Sequence, residues 1–300
     1  MFSLPVAPLR VASIALAAQR GEIEQNAERV VARIERAARE RIGLAVFPEA
    51  CLTGGIGGGT STSTPTRTMR RAQMKALAAS VDGEHVQAVA DAVERTGVAA
   101  GVGLIERAAD GALYSSYVVC LPGGKRHVHR KLHADGQPHL ASGDRFTVFD
   151  MRGGWRLAVL VGGDNYLVEN ARMAALLGAG LLVAPHASHE TDAWMRRALP
   201  ARALDNGLFV VYCEHGEGAI VDPCGQVVAQ RAGGDETISA ELDPALLGTS
   251  PAHRWLDTRR PDLYARLAHE SRAGMPSFEP RNAGARGAVA VSFAVVRRNG

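Results

Sequence analysis

Three short segments place reactive side chains at the ends of apolar runs: Phe47-Pro48-Glu49, Arg130-Lys131 and Gly162-Gly163-Asp164. In α/β proteins, the carboxyl ends of the strands meet at one edge of the sheet, where ligands usually bind. A carboxylate and an ammonium group in one pocket can move protons and stabilise developing negative charge. Taken singly, each segment is weak evidence for an active site, because a lone charged residue after a strand is usually solvated.

Composition and charge exclude several classes of function. The chain has 34 Lys plus Arg and 31 Asp plus Glu, so its net charge is only +3, and it contains no basic run that would bind nucleic acid. No apolar run is long enough to span a membrane. Hydrophobic residues make up 46% and charged residues 22%, which predicts a globular protein rather than a disordered one.

The four cysteines, Cys51, Cys120, Cys213 and Cys224, have no CxxC spacing. This pattern predicts neither a disulfide framework nor a zinc ribbon, and it favours the reducing cytoplasm. The apolar segment Val11–Ala18 runs straight into an amphipathic helix pattern, so we interpret it as a buried first strand rather than a secretion signal.

Strand and helix patterns alternate in both halves of the chain, which predicts one α/β sandwich domain. In the first half, the patterns predict a helix over 22–40, a strand over 44–47, a Gly/Ser/Thr-rich loop over 53–68, two helical stretches within 69–96, and strands over 98–105 and 113–121. In the second half, they predict strands over 156–161, 181–185 and 208–213, helices over 168–179 and 192–205, and a hairpin of 218–221 with 226–230.

In their order and spacing, several segments resemble the nitrilase, or carbon–nitrogen hydrolase, superfamily over about residues 9–270. The segments are VFPEACLTG, LYSSYVVCLPGG followed by HRKLH, VGGDNYLVENARMAALLGAGLLVAP, ARALDNGLFVVYC, GAIVDPCGQVVAQ and DTRRPDLY. The resemblance implies a four-layer α-β-β-α sandwich that pairs into homodimers or larger assemblies. We expect a domain over residues 1–270 and a C-terminal extension over 271–300, which ends in a β-like run at 288–296.

That family uses a cysteine thiolate to form an acyl-enzyme, a glutamate as general base and a lysine to stabilise negative charge. Glu49 matches the glutamate and Lys131 matches the lysine. The nucleophile position falls on Gly162, which has no side chain and cannot form an acyl-enzyme. The resemblance therefore implies a family pocket with a vacant nucleophile position.

Around the predicted nucleophile position, some residues match the family pattern and others depart from it. The matching positions in the elbow and the following helix are Asp164, Glu169 and Arg172. Gly163 stands where an aromatic residue is common, and Val168 replaces a frequent proline. A further glutamate expected after Lys131 is absent, and the positions near it hold Gln137, Pro138 and His139.

Other residues offer weaker routes to catalysis. Cys51 is two residues from the matched glutamate and is predicted to be a buried thiol. Ser188 lacks the GxSxG motif of a serine nucleophile, so a serine triad is not expected. His127 and His129 form an HxH pattern whose alternate side chains share a strand face, as in some zinc sites, or else are surface or supporting residues. His186 lies in the loop after the 181–185 strand, near the expected pocket. We expect no cofactor.

The leading prediction is a nitrilase-superfamily protein without ordinary amidase activity that binds a small amide- or carboxylate-containing molecule beside Glu49 and Lys131. A second hypothesis is an enzyme that uses Glu49 and Lys131 for non-covalent acid–base chemistry, as in a lyase, isomerase or cyclase. A third is an amidase with an inactivating cysteine-to-glycine change. In a fourth interpretation, Glu49 and Lys131 form only a buried ion pair and have no catalytic function.

Overall fold

The computed structural model of this chain describes residues 3–54, 67–134, 139–187, 193–234 and 236–265. The chain divides into two compact units, residues 1–258 and residues 259–300. The predicted domain boundary at residue 270 stays a prediction.

Some predicted segments lie partly or wholly outside this description. They are residues 55–66 of the predicted 53–68 loop, Gln137 and Pro138, Ser188, and the extension over 271–300 with its β-like run. Positions 67 and 68 were predicted as loop, but a helix already begins there.

The first sheet contains six strands: β1 (Leu9–Ile14), β2 (Leu44–Val46), β3 (Ala99–Arg107), β4 (Leu113–Leu121), β5 (Lys125–Arg130) and β12 (Thr237–Leu242). Their spatial order is β12-β1-β2-β3-β4-β5. Strands β1, β2 and β3 are parallel, whereas β12, β4 and β5 join the sheet antiparallel.

The second sheet repeats this arrangement with β6 (Thr147–Asp150), β7 (Arg156–Val159), β8 (Leu181–Pro185), β9 (Phe209–Cys213), β10 (Glu217–Val221) and β11 (Val227–Ala232). Its order is β11-β10-β9-β8-β7-β6, with β7, β8 and β9 parallel. Each sheet therefore has a parallel centre, whose strands end at a common edge.

The helices are α1 (Ile23–Arg39), α2 (Arg67–Leu77), α3 (Glu84–Thr96), α4 (Val168–Leu176), α5 (Ala193–Asn206), α6 (Ala245–Thr249) and α7 (His253–Leu256), with α8 (Pro261–Tyr264) in the second unit. Their bounds agree with the predicted 22–40, 69–96, 168–179 and 192–205 patterns to within a few residues. No helix of the described residues is both long and apolar enough to cross a membrane.

The core shows why the strands are apolar on both faces. On β1, Val11 packs between the two sheets, whereas Ala12 and Ile14 pack under α1 and α3. On β7, Leu157 packs between the sheets and Ala158 lies in the helix-facing core. Alternate side chains thus enter different layers. The predicted four-layer α-β-β-α sandwich is confirmed.

Two strands, β6 and β12, were not predicted from the sequence. Both lie at sheet edges, and most of their residues are only half-buried. Because an edge strand packs on fewer neighbours, its sequence carries a weaker apolar pattern. The predicted strand over Val11–Ala18 is confirmed in part, since β1 begins and ends earlier, at Leu9–Ile14.

Candidate functional site

Glu49 lies in a turn directly after β2, and this turn is fastened to β3. The Leu52 amide donates to the Gly103 carbonyl at 2.9 Å, and the Thr53 hydroxyl accepts from the Ile105 amide at 3.0 Å. A side chain at position 103 would collide with the turn, since its Cβ would lie 2.9 Å from the Glu49 Cα. Glycine in β3 therefore permits the close approach that positions Glu49.

Lys131 follows β5, and its backbone is held on both sides. Its amide donates to the Ser115 carbonyl at 2.8 Å, and its carbonyl accepts from the Gly143 amide at 2.7 Å. The Lys131 ammonium reaches the Glu49 Oε1 at 3.1 Å, and both side chains are buried. The two residues are 82 positions apart in the sequence, so the sheet register brings them together.

Gly162 begins a 3-10 turn after β7 and has a φ of 51°, in the left-handed region. A Cβ at this position would lie 2.5 Å from the Glu49 Oε2 and 2.7 Å from the Lys131 Nζ. The structure therefore brings the three predicted catalytic positions together. With glycine present, the carboxylate and the ammonium extend into the space that a side chain at position 162 would need.

Asp164 connects the turn at Gly162 to the segment that carries Lys131. Its fully buried carboxylate accepts hydrogen bonds from the amides of Val161 at 3.2 Å, Leu132 at 3.1 Å and His133 at 2.8 Å. The Nε2 of His129 lies 3.3 Å from the same carboxylate. Asp164 was predicted as a site residue, and it fixes the geometry of two segments.

The pKa of Asp164 reflects these contacts. Burial raises the pKa of the carboxyl group, but the hydrogen bonds from His129 and from the amides of Leu132 and His133 outweigh burial, so that the pKa lies below its ordinary value. The group is therefore a carboxylate at neutral pH.

The two oxygens of Glu49 have different surroundings. Oε1 accepts from the Lys131 ammonium and from the Ser115 hydroxyl at 2.8 Å. Oε2 faces the Cβ position of Gly162, and the hydrogen bonds of the described residues give it no donor. Ser115 was not among the predicted site residues, although a serine in the otherwise apolar strand LYSSYVVCL is a signal of a buried polar contact.

His186, which the sequence analysis placed near the pocket, lies beside Glu49. The His186 carbonyl accepts from the Glu49 amide at 3.3 Å, and its Nε2 lies 3.3 Å from the Tyr166 hydroxyl. A cavity of about 100 Å³ adjoins this point. It is lined by residues 16–18, Pro48, Glu49, Ala50, Cys51, His186, Ala187 and His215.

The other predicted pocket residues are less directly placed. Glu169 is exposed on α4, and Arg172 is half-buried on the same helix. His139 is half-buried and its Nε2 is enclosed. Within the described ranges, no hydrogen bond joins Glu169 or His139 to Glu49 or Lys131, so their part in the site stays a prediction.

None of the buried cysteines has the properties of a nucleophile. Burial raises the pKa of Cys51 to about 12, and the Cys51 Sγ accepts a hydrogen bond from the Gly103 amide at 3.3 Å. Burial likewise raises the pKa of Cys120 and Cys213 to about 11. Because only a thiolate attacks effectively, these groups are inert at neutral pH.

The two histidines of the HxH pattern make structural contacts within the protein. His129 is fully buried against Asp164, and His127 stacks on Phe149 with ring centroids 4.0 Å apart. Among the residues that the structure describes, no group of three His, Cys, Asp or Glu side chains is placed to hold a metal ion.

Comparison with known proteins agrees with this geometry. The family model described as carbon–nitrogen hydrolase matches residues 10–252. The chain is similar to a "hydrolase in pqqF 5'region" of Pseudomonas protegens, with 33% identity over 64% of this chain and 73% of the relative. It is also similar to the omega-amidase NIT2-A of Xenopus laevis, with 32% identity over 61% of this chain and 76% of the relative.

Among solved structures, the fold is similar to that of a cysteine-to-alanine mutant of the Nesterenkonia AN1 amidase from the nitrilase superfamily. The TM-score is 0.70, with 20% identity over 86% of this chain and 97% of that chain. The same mutant has been solved in complex with butyramide.

Proposed function

Because the chain belongs to the carbon–nitrogen hydrolase family of the nitrilase superfamily, we propose that it binds a small amide or carboxylate without forming an acyl-enzyme. The observation that carries the proposal is Gly162, which lies directly beside the paired Glu49 carboxylate and Lys131 ammonium and offers no attacking atom. Removal of a catalytic nucleophile costs a hydrolase on the order of a millionfold in rate. Hydrolysis through an acyl-enzyme is therefore negligible for this chain.

The surroundings of Gly162 support retention of ligand binding. The Lys131 ammonium is a hydrogen-bond donor for a carbonyl or carboxylate oxygen of a ligand, and Glu49 holds this ammonium in place. A structural relative whose cysteine is replaced by alanine is found in complex with butyramide, so a pocket of this fold can hold an amide without the thiol.

A second candidate function is non-covalent acid–base chemistry by Glu49 and Lys131. The observation that favours it is the Oε2 of Glu49, which faces the Cβ position of Gly162 and receives no hydrogen bond from the described residues, while Oε1 is held by Lys131 and Ser115. An oriented carboxylate of this kind can remove a proton from a bound molecule, and the adjacent ammonium can stabilise the resulting charge.

We expect the chain to bind small amides, or the matching carboxylates, and to release no ammonia above background. Lys131→Met should weaken binding by about tenfold or more, because a charged hydrogen bond to the ligand is lost. Glu49→Gln should leave binding nearly intact, since glutamine keeps an acceptor oxygen for Lys131 and Ser115. Calorimetric titration and an ammonia assay on the same panel of compounds measure both quantities.

Lys125→Met is the matched control, because Lys125 lies at the exposed start of the same strand, β5. Its affinity should equal that of the unmodified chain. Saturable binding that is unaffected by Lys131→Met would overturn the proposed site. A ligand whose conversion, followed by NMR, stops in Glu49→Gln would establish the acid–base function instead.

We also propose that the chain forms a homodimer through the face of α4, defined here by Tyr166, Leu167, Val168, Met173, Leu176 and Leu177. Each of these apolar side chains is at least 37% exposed. Clustered exposed apolar residues usually mark a protein contact.

The four free cysteines, three of them buried, support a reducing cytoplasmic location.

The double change Met173→Glu with Leu177→Glu should convert the dimer into a monomer, because two charges would be buried in the contact. Sedimentation velocity measures the change. The control is Val227→Glu with Val228→Glu, which places charges on the exposed residues of β11. A chain that is monomeric without substitutions would contradict this proposal.

A further inference from the structure

A second, larger cavity of about 700 Å³ lies at the edge of the first sheet opposite Glu49. Its lining includes Gly43, which precedes β2, whereas Glu49 follows β2. The linings of the two cavities share no residue, so the two sites are separate. A volume of this size is typical of pockets for small molecules.

The cavity carries an excess of positive charge. Arg10, Arg41 and Arg152 line it, and Glu241 is the one carboxylate in its lining. Arg10 stands directly opposite Glu241 across β1 and β12, but the ion pairs of the described residues do not join the two. Three exposed guanidinium groups against one carboxylate leave an excess of two positive charges among the described lining residues.

Arg41 presents its side chain to the cavity from a left-handed backbone at a helix end. Arg41 follows the C-terminus of α1 with a φ of 57°, a left-handed conformation. The Ile42 amide donates to the Ala37 carbonyl at 2.9 Å, which closes the helix end in the usual way. Glycine or asparagine is the favoured residue at such a position, so arginine is retained there at a cost in stability.

Apolar side chains complete the walls of the cavity. Pro8, Ile42, Val98 and Trp155 lie in its lining beside the guanidinium groups. Arg152 donates to the Gly97 carbonyl and so occupies a free acceptor at the end of α3. The combination of apolar and guanidinium side chains in this cavity suits a ligand with a short carbon body and charged ends.

We infer that this cavity binds a small organic dianion, such as a dicarboxylate or a phosphate monoester, independently of the Glu49 site. The excess of two positive charges matches two negative charges on the ligand, and guanidinium groups bind carboxylate and phosphate oxygens in paired hydrogen bonds. The inference extends beyond the proposed function, because no residue of the cavity belongs to the Glu49 site.

Calorimetric titration of the full chain with succinate and with glycerol phosphate, at constant ionic strength, tests the inference. We expect saturable binding of at least one of the two, and their relative affinities distinguish a dicarboxylate from a phosphate ligand. Arg41→Gly should weaken binding about tenfold or more through loss of a charged hydrogen bond. The same variant should unfold at an unchanged or higher temperature, because glycine tolerates the left-handed backbone.

Arg10→Gln provides a second variant with the same expected loss. Arg33→Gln is the control, since Arg33 lies on α1 outside the cavity lining and its removal should leave affinity unchanged. Lys131→Met should also leave this binding intact, which separates it from ligand capture at the Glu49 site. Absence of saturable binding up to about 10 mM, or affinity insensitive to both Arg41→Gly and Arg10→Gln, would overturn the inference.

Discussion

Replacement of Gly162 by cysteine should give a chain that forms a covalent acyl adduct with small amides and releases ammonia. The new thiol would stand between the Glu49 carboxylate and the Lys131 ammonium. Glu49 would accept the thiol proton, and the thiolate would attack the carbonyl carbon. The carbon–nitrogen bond would then break as the amide nitrogen takes this proton from Glu49 and leaves as ammonia. We expect ammonia release to rise on the order of 10³-fold or more over the unmodified chain.

The geometry permits this substitution at a moderate cost. The atoms that a Cβ at position 162 would crowd are the Oε2 of Glu49 and the Nζ of Lys131, both at the ends of flexible side chains. These ends can move aside without displacement of the backbone. The positive φ of 51° disfavours any side chain and should lower the free energy of unfolding by about 1–3 kcal/mol.

Intact-mass measurement of the acyl adduct and an ammonia assay report the result. Gly162→Ala carries the same backbone strain without a thiol and should remain inactive. Adding Glu49→Gln to Gly162→Cys should suppress the adduct, because the thiol loses its base. Ammonia release by the unmodified chain equal to that of Gly162→Cys would contradict the vacant-nucleophile proposal.

Replacement of Asp164 by asparagine should lower the free energy of unfolding by about 3–5 kcal/mol, a large part of the stability of a typical domain. The Asp164 carboxylate accepts from three backbone amides and contacts His129, and all of these donors lie in protein interior or at its margin. Asparagine keeps the shape of the side chain but replaces one acceptor oxygen with a donor, so that some of these amides lose their partner.

The same residue predicts a dependence of stability on pH. The pKa of Asp164 in the folded chain is below its ordinary value of 3.8, because hydrogen bonds outweigh the effect of burial. Its contribution is therefore complete above about pH 5 and is lost as the pH falls below the unfolded pKa towards the folded one, since the unfolded chain takes up the proton first. Asp164→Asn should flatten this acid limb of the stability curve.

Urea unfolding followed by circular dichroism at pH 7 and at pH 3 measures both effects. Asp144→Asn is the control: the Arg145 side chain also lowers the pKa of Asp144, but that group is fully exposed and solvent screens the pair. If Asp164→Asn does not fold, the acid limb of the unmodified chain still tests the prediction. Equal stability of Asp164→Asn and the unmodified chain would contradict it.

The arrangement of layers and the identity of the central pair were predictable from the sequence. Apolar runs with alternating helix patterns predict parallel strands buried on both faces. The resemblance to the nitrilase superfamily implied the four layers and assigned Glu49 and Lys131 to one pocket, and the structure places these two side chains 3.1 Å apart. The family resemblance rested on the same local segments and is confirmed by the match over residues 10–252.

Only the tertiary structure decided the contacts that orient these residues. The Ser115 hydroxyl on Glu49 and the His129 contact with Asp164 depend on the register of β4 and β5 and on the stacking of two sheets. A sequence pattern records the periodicity of one element, but it contains no measure of the register between elements distant in sequence. The local patterns therefore predicted the α/β alternation and the strand-end residues, the family resemblance predicted the four layers, and sheet packing determined which polar atoms meet.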